Sequence, residues 1–309
     1  MTTGVFHHIV PDSFTGKPWS KADGPDKSYR DQGHEWNVHN LRGREHEFTT
    51  DNSGFAVVHA PAQEKLFASN DAVRGAYYAE VEALLRRVLP AGGTPIRKVH
   101  IFDHTVRRRQ ADAPRQPVQQ VHVDQTAAAA EARVRRHLPA AEADELLRGR
   151  YAIINAWRPI EHAALDFPLA VVDWRTTEAR DFVAVDLMYP KRRADSGLGD
   201  CEVDDDDDDD RGKEKLPDPL TTGSVEGYEP RGEHIQVAPN PNHRFYFQKD
   251  MNPDEVLLLK CYDSFGEGEP GGIPGLAVRT PHSAFHDPNA PKDAPARQSI
   301  EVRCLVFYE

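Results

Sequence analysis

The second half of the chain carries short runs of apolar or alternating residues, each bounded by turn-forming residues. These runs occupy residues 151–157, 169–174, 182–189, 244–247, 256–262, 276–282 and 299–308. Strands of this length and spacing are typical of an all-β sandwich, jelly roll or barrel. We therefore predict that the later two thirds of the chain form a β core.

The first half mixes predicted strands with helical patterns. Apolar residues recur at helical spacing from 70 to 88, with Asn70 as the expected N-cap, and helices are also expected at 126–137 and 141–147. The predicted strands of this half lie at 36–41, 54–60, 96–105 and 118–124. The predicted fold is therefore mainly β, with flanking helices that pack outside the core.

Two segments differ from this pattern. Residues 1–50 are polar and rich in turn-formers, with one predicted strand, and are interpreted as an N-terminal extension. Residues 191–232 contain seven consecutive aspartates and almost no large apolar side chain. Such a segment cannot bury enough surface to offset its ordering entropy. We expect a mobile acidic loop inserted into a single domain that spans residues 1–309.

Composition narrows the choice of partners. The formal net charge of -12 argues against a nucleic-acid partner, because phosphate contacts require clustered Lys and Arg. No run approaches the ~18 apolar residues that a transmembrane helix requires, and no secretory signal is visible. The three cysteines form neither a disulfide framework nor a zinc pattern. We expect a cytoplasmic protein without a membrane partner, and the oligomeric state stays open.

His122 and Asp124 lie two residues apart at the end of a predicted strand. Residues i and i+2 of a strand point to the same side, so an imidazole and a carboxylate face the same space. This pair is the start of a two-His-one-carboxylate triad, which holds iron(II) on one face and leaves the opposite positions open. The His-x-Asp pattern is short and weak by itself, but here it sits between an apolar strand and a helix.

A second histidine ligand is expected from a later strand. His282 ends the strand-like run 276–282, whereas His286 precedes Asp-Pro and so lies in a predicted turn. His243, before the predicted strand 244–247, is a third and weaker option. A ligand needs rigid support, which favours His282.

A dicarboxylate co-substrate would require a basic anchor, and arginine offers a planar two-pronged donor. Arg297 and Arg303 belong to the predicted last strand and are six residues apart, so both can face one side of it. Arg297 follows His282 by fifteen residues (297 − 282), a distance that suits the next strand of a hairpin. Either residue could instead be an ordinary surface arginine.

Motifs along most of the chain point to one family. They are QVHVDQT at 120–126, RVRRHLP at 133–139, IINAWRPI at 153–160, PLAVVDWR at 168–175, DLMYP at 186–190, HRFYF at 243–247, MNPDEV at 251–256, PHSAF at 281–285 and SIEVR at 299–303. Together they resemble the fungal and bacterial hydroxylase/desaturase family, a branch of the Fe(II)/2-oxoglutarate-dependent oxygenases that includes gibberellin desaturase-like proteins and cephalosporin methoxylation accessory proteins. The acidic segment is longer here than is usual in that family.

The resemblance implies a double-stranded β-helix, the cupin-like jelly roll of 2-oxoglutarate oxygenases. It implies iron ligands at His122, Asp124 and His282, with 2-oxoglutarate and O2 as co-substrates. Arg297 is the first candidate to bind the 2-oxoglutarate carboxylate, and Arg303 is the second. Further positions expected to line the substrate pocket are Asn155, Trp157, Arg158 and Tyr246. Family members hydroxylate, desaturate or close rings on small molecules of secondary metabolism, so the resemblance implies a small-molecule substrate.

Three other functions fit some feature of the sequence. Residues 266–271 match the G-x-G-x-x-G fingerprint and so fit a methyltransferase, but Pro270 and Pro274 argue strongly against the helix that must start there, and a loop is expected. A non-catalytic accessory protein of a biosynthetic cluster is a second possibility, and three intact candidate ligands argue against it. A metal-dependent hydrolase on the same barrel would need no 2-oxoglutarate anchor, so the two late arginines argue mildly against it.

Overall fold

The computed structural model of the chain describes residues 1–89, 93–108, 117–191 and 223–309. It consists of two facing β-sheets with helices outside them. In chain order the strands are β1 (Thr2–Ile9), β2 (Trp19–Lys21), β3 (Asp31–Asn40), β4 (Phe55–His59), β5 (Ile96–Arg108), β6 (His122–Val123), β7 (Tyr151–Pro159), β8 (Leu169–Val172), β9 (Phe182–Pro190), β10 (Tyr228–Val237), β11 (Phe245–Phe247), β12 (Glu255–Asp263), β13 (His282–Ala284) and β14 (Gln298–Tyr308). The helices are α1 (Asn70–Ala72), α2 (Tyr78–Val88), α3 (Ala127–His137) and α4 (Ala140–Leu146).

The larger sheet has nine strands in the order β1-β3-β11-β8-β13-β6-β10-β9-β2, and the smaller sheet has the order β4-β12-β7-β14-β5. Many spatial neighbours are distant in the chain, and most pairs are antiparallel. Strand β14, for example, pairs with both β5 and β7. This mainly β jelly roll with flanking helices confirms the fold class that the sequence predicts.

Strand β7 is buried along its whole length because both of its faces are covered. Ile154 and Ala156 pack against the helical layer, whereas Ile153 and Trp157 point towards the larger sheet. Val171 of β8 packs with Trp157 and so joins the two sheets. Strand alternation therefore divides β7 into an outer apolar face and an inner face that lines the space between the sheets.

One helical layer covers the outer face of the smaller sheet. It runs from α1 through a π-helical turn at Val73–Tyr77 into α2 without a break. The side chains of Tyr77, Val81 and Leu85 recur at helical spacing and are buried against this sheet. The predicted helix at 70–88 is therefore confirmed, and so is its position outside the β core.

The two main helical segments begin at residues whose side chains cap them. Ser69 Oγ accepts a hydrogen bond from the Ala72 amide, so Ser69 is the N-cap and the prediction of Asn70 is wrong by one residue. Thr126 Oγ1 accepts from the Ala129 amide at 3.1 Å at the start of α3. Each cap satisfies an amide that has no partner inside the helix, which is typically worth about 1 kcal/mol.

Helices α3 and α4 pack beside the space between the sheets. Ala130 and Val134 of α3 share one apolar cluster with Val123 of β6 and with Leu305 of β14. Since α3 follows β6 after only three residues, this packing fixes the chain immediately around Asp124.

Three details of the sequence prediction are wrong. The first fifty residues hold three strands instead of one, and all of them belong to the larger sheet. Residues 276–281 form no regular strand, because β13 begins at His282. The strand predicted at 96–105 extends to Arg108, so Arg107 also belongs to β5. In contrast, residues 266–271 form turns, as predicted, and no helix starts there.

The predicted acidic loop at 191–232 lies mostly outside the described residues, and the aspartates at 204–210 lie outside them entirely. Its last residues, however, belong to β10, so the predicted end of the loop is wrong. Strand β10 pairs with β9 on one side and with β6 on the other. Backbone hydrogen bonds on both sides therefore hold β10 in the sheet, although its apolar residues show no regular spacing.

Replacing Leu85 with alanine should lower the free energy of unfolding by about 2–5 kcal/mol, because a fully buried side chain would leave a cavity between α2 and the smaller sheet. Urea denaturation measures the loss. The control is Leu66→Ala, the same substitution at a side chain that is 59% exposed, where a change within about 0.5 kcal/mol is expected. Equal losses at both positions would contradict the packing described for α2.

Candidate metal centre and its cavity

The middle of the larger sheet brings together residues that are far apart in the chain. Strands β6 and β13 are neighbours, and His282 lies directly opposite His122. Opposed side chains lie on one face of a sheet, and Asp124 shares that face because it follows His122 by two residues. The two imidazole centroids are 4.4 Å apart. One potential ligand atom from each of the three residues lies within 4.8 Å of the others.

Both imidazole rings are held in the same way. His122 Nδ1 is 2.8 Å from the carbonyl oxygen of Gln120, and His282 Nδ1 is 3.1 Å from that of Thr280. In each case Nδ1–H donates to the carbonyl two residues earlier, so Nε2 is the nitrogen that faces the cavity. The Nε2 atoms of His122 and His282 lie 3.4 Å and 3.8 Å from Asp124 Oδ1.

The two carboxylate oxygens of Asp124 have different surroundings. Oδ1 faces the two histidines, whereas Oδ2 accepts a hydrogen bond from Asn155 Nδ2 at 2.7 Å. The Cys261 thiol and the Arg303 Nε atom lie 3.8 Å and 3.9 Å from the same Oδ2. One oxygen is therefore turned to the candidate metal position, and the other is turned to the protein.

Burial and charge act against each other on these groups. Burial alone would lower the pKa of His122, but the hydrogen bond and charge of Asp124 raise it above its usual value. Burial would raise the pKa of Asp124, but the His122 hydrogen bond and the charges of His282 and Arg303 hold it well below its usual range. Burial and the charge on His122 lower the pKa of His282. A bound cation would therefore take the place of the His122 proton.

One face of β14 forms the opposite wall of the cavity. Ser299, Glu301 and Arg303 alternate along that face, and Arg297 precedes them in the same row. The even spacing of the two arginines predicts a shared face, and both do line the cavity. The other residues that line it are Thr105, Arg107, Val118, Trp157, Leu169 and Ala284.

Arg303 lies among carboxylates. Its Nη1 donates to Asp103 at 2.5 Å, its Nη2 forms an ion pair with Glu301 at 3.0 Å, and its Nε is 3.9 Å from Asp124. A guanidinium in this position balances the charge of the acidic groups around it. Three carboxylates of the protein therefore already surround the Arg303 guanidinium.

Arg297 has different surroundings, at the start of β14. The side chain is only 4% exposed. Its Nη1 donates to the carbonyl oxygen of Phe167 at 2.8 Å, and its guanidinium lies over the Trp157 ring, 5.7 Å from the centroid. The backbone carbonyl and the aromatic face hold a cation at the cavity wall and fix its orientation.

The four predicted pocket residues have different positions. Trp157 lines the cavity, and Asn155 contacts Asp124. Arg158 donates to two backbone carbonyl groups on the other side of β7, so its predicted place in the pocket is wrong. Neighbouring residues of a strand point to opposite faces, so Trp157 and Arg158 cannot both enter one cavity. Tyr246 packs against two phenylalanines in the core instead of lining the cavity.

The other two candidates for the second histidine ligand lie elsewhere. His243 Nε2 is 2.9 Å from Asp181 Oδ2 in a buried pair, and the His286 ring packs against Phe167. Within the described ranges, His122, Asp124 and His282 are the only group of at least three residues that could hold a metal ion.

Some residues of the site are not indicated by the sequence pattern alone. Ser299 and Glu301 line the cavity, and the i, i+2 relation that joins the two arginines could have pointed to them. His234 of β10 directly precedes Ile235, which pairs with Val123 of β6. Burial and the charge on His122 lower the pKa of His234 to about 4, so it is a neutral imidazole. Nothing marked it beforehand, because β10 was not predicted.

A loop before β4 supports the segment that carries His282. Thr280 donates its hydroxyl to the Gly54 carbonyl, and the Ala277 amide donates to the Asp51 carbonyl at 2.7 Å. Gly54 has a φ of +88°, and a Cβ there would come within 2.8 Å of the backbone oxygen of Arg279. Glycine is therefore required where residue 54 approaches Arg279 and Thr280. The Thr280 carbonyl is the group that anchors the His282 ring.

A jelly roll that turns two histidines and one carboxylate into a cavity is typical of mononuclear non-haem iron oxygenases. The family model described as oxidoreductase/YMDC permease-like domain matches residues 10–203 and 218–307. The hydroxylase/desaturase efuI of Hormonema carpetanum is 32% identical, over 88% of this chain and 83% of its own length. The Fe(II)/2-oxoglutarate-dependent dioxygenase nvfI of Aspergillus novofumigatus is 30% identical, over 89% of this chain and 83% of its own length.

Solved structures agree with these sequence relatives. The iron and alpha-ketoglutarate-dependent endoperoxidase NvfI is similar with a TM-score of 0.73 and 25% identity, over 99% of this chain and 97% of its own. The chain therefore belongs to the oxidoreductase family of the matching model and, within it, to the hydroxylase/desaturase branch of the Fe(II)/2-oxoglutarate-dependent oxygenases. None of the helices in the described ranges has the length and apolar character needed to cross a bilayer.

The Gly54→Ala substitution should weaken divalent-metal binding about tenfold or more, because the new Cβ pushes on the backbone that anchors His282. Competition between the protein and a coloured chelator for Co(II) measures the affinity. Gly43→Ala is the matched control, since Gly43 has a φ of +84° and no atom within 4 Å of its added Cβ. It carries the same backbone strain of about 1–2 kcal/mol and should leave metal affinity unchanged. Equal weakening in both variants would contradict the supporting role of this loop.

Proposed function

We propose that this chain is an Fe(II)/2-oxoglutarate-dependent oxygenase that hydroxylates, desaturates or closes a ring in a small molecule of secondary metabolism, and that His122, Asp124 and His282 bind its iron. One observation carries the proposal: ligand atoms from these three residues lie within 4.8 Å of one another, at the wall of a cavity between the two sheets. Two histidines and one carboxylate are the ligand set typical of non-haem Fe(II) oxygenases.

The residues present fit an iron(II) ion. Both histidines have Nδ1 engaged with a carbonyl group, which leaves Nε2 to bind, and the low pKa of Asp124 keeps its carboxylate ionised. When bound, iron with 2-oxoglutarate and O2 supplies the oxidising power to break an unactivated C–H bond, which side chains alone do not have. The protein binds and orients the reactants and excludes water from them.

Arg297 is the proposed anchor for the distal carboxylate of 2-oxoglutarate. Its guanidinium is buried at the cavity wall and is held by the Phe167 carbonyl and the Trp157 ring. A planar guanidinium can donate two parallel hydrogen bonds to a carboxylate. Ser299 follows Arg297 by two residues on the same face, so its hydroxyl is a suitable further donor.

Arg303 has another role in this proposal. It forms ion pairs with Asp103 and Glu301 and lies close to Asp124. Its positive charge therefore favours the ionised form of the Asp124 carboxylate, the proposed iron ligand. Its position beside Asp124 also suits it less well to the far end of 2-oxoglutarate. We therefore assign the anchor to Arg297 and charge balance to Arg303.

We further propose that the whole chain acts as one domain in the cytoplasm, with a small molecule as its partner rather than nucleic acid. Both sheets contribute residues to the cavity, which supports a single functional unit. Cys261 and Cys304 are buried free thiols, as suits a reducing compartment. The relatives named above carry the descriptions hydroxylase/desaturase and endoperoxidase, which are small-molecule oxidations of different outcome.

Anaerobic addition of iron(II) and 2-oxoglutarate to the purified protein should produce a weak visible charge-transfer band at roughly 500 nm, a property of the chelated pair. The band should be absent in His122→Ala and in His282→Ala, which remove proposed ligands. His286→Ala is the matched control, and it should keep the band because His286 packs against Phe167. Tight metal binding without a band in the unaltered protein would reject the oxygenase and favour a hydrolase or an accessory protein.

Arg297→Gln should weaken 2-oxoglutarate binding about tenfold to a hundredfold, because a hydrogen bond to a charged group contributes about 1.5–3 kcal/mol. Iron affinity should stay the same. Arg303→Gln should act mainly on iron affinity, because Arg303 lies beside Asp124. Titration of each ligand, followed by the visible band and by calorimetry, separates the two effects. The opposite pattern would make Arg303 the anchor.

A further inference from the structure

The unequal surroundings of the two Asp124 oxygens have a specific origin. Asn155 Nδ2 lies 2.7 Å from Oδ2, on the side of the carboxylate away from the histidine Nε2 atoms. The Asn155 side chain is fully buried on the inner face of β7. It is the nearest side-chain donor described for Asp124, and it is directed at the oxygen that does not face the candidate metal position.

The other neighbours of Oδ2 hold it less firmly. The Cys261 thiol lies 3.8 Å away and is a weak donor. Arg303 Nε is 3.9 Å away, beyond ordinary hydrogen-bond distance, and this guanidinium donates to Asp103 and forms an ion pair with Glu301. The amide of Asn155 therefore makes the short, charge-assisted contact with Asp124.

The carbonyl oxygen of the Asn155 amide shows that the hydrogen bond from Nδ2 to Asp124 is kept at an energetic cost. Asn155 Oδ1 is buried and has no hydrogen-bond partner among the described residues. A buried carbonyl oxygen without a partner is unfavourable, and a leucine of similar size would avoid that cost. A polar side chain at this position is thus explained by what its Nδ2 does and not by its contribution to packing.

We infer that Asn155 is a positioning residue that keeps Asp124 to a single metal-binding oxygen, an inference that rests on the proposed function. Two histidines and one carboxylate oxygen occupy one face of the ion and leave the opposite face open. A carboxylate that turned both oxygens to the ion would take one of the open positions. Those positions are needed for the two donor atoms of 2-oxoglutarate and for O2. By holding Oδ2, Asn155 keeps the open face available.

The test uses Asn155→Ala and Asn155→Leu, of which the second retains the side-chain volume and so protects against a folding defect. The matched control is Asn240→Ala, the same substitution at another buried asparagine, whose Nδ2 donates to Asp181 and which does not line the cavity. Three quantities are measured for each: Co(II) affinity by chelator competition, 2-oxoglutarate affinity at saturating iron(II) from the visible band, and the melting temperature of the metal-free protein.

Both Asn155 variants should lose about tenfold to a hundredfold in Co(II) affinity, the usual effect of removing a group that orients a metal ligand. At saturating iron(II), their dissociation constant for 2-oxoglutarate should rise about tenfold, as expected if Asp124 competes for an open position. Asn240→Ala should match the unaltered protein in both affinities. The Asn155→Leu protein should melt at a temperature close to that of the unaltered protein.

Three results would overturn the inference. The first is unchanged affinity for both ligands in the two Asn155 variants. The second is weaker Co(II) binding with unchanged 2-oxoglutarate affinity, which would mean that Asn155 orients Asp124 without limiting it to one oxygen. The third is an equal loss in Asn240→Ala, which would indicate a general effect of removing a buried amide. Failure of the unaltered protein to bind iron and 2-oxoglutarate would instead reject the proposed function, so the two failures are distinguishable.

Discussion

The pairing of β6 with β13 is the contact on which the site depends. These strands have only two and three residues, and their register is defined by one pair, His282 opposite His122. A shift of one residue would turn one of the two histidines to the other face of the sheet. The longer β10 holds β6 from one side, and β8 holds β13 from the other. Two short strands can thus carry a site because their neighbours set their register.

Strand β14 shows how one element serves both stability and chemistry. Its outer face carries Ile300, Val302 and Cys304, which pack beneath the helical layer. Its inner face carries Glu301 and Arg303, which face the cavity. Buried charges are costly unless they are paired, and here each one lies beside a partner of opposite sign. The apolar face stabilises the fold, so the other face can be polar and serve the site.

Sequence reasoning works where the side chains carry the pattern. Strands β7, β12 and β14 and the helix from 70 to 88 are predictable because their apolar residues recur at a regular spacing. Strand β10 is not, because most of its side chains are half-buried or exposed, and β1 is not, because few of its side chains are large and apolar. Both are held by backbone pairing to partners that a sequence does not reveal. This difference between side-chain pattern and backbone pairing explains why the fold class is predictable although the ends of several strands are not.

The candidate site follows the same rule. The shared direction of His122 and Asp124 is predictable from the two-residue period of a strand, and the same period relates Arg297 to Arg303. Pairing His122 with His282 requires the order of strands in the sheet, which spacing along the chain does not determine. A motif does not show which way a side chain points either. The sequence therefore predicts Arg158 in the cavity, although its side chain points away from it.

The distance along the chain between the two histidines has a consequence for assembly. His122 and His282 are 160 residues apart (282 − 122), so their contact closes a very long loop. Closing such a loop costs entropy before the contact returns any energy, and sheets built from such pairings fold slowly. The chain must therefore have left the ribosome as far as β13 before the three residues can meet. The candidate metal centre is then completed late in folding, and a partly folded chain lacks it.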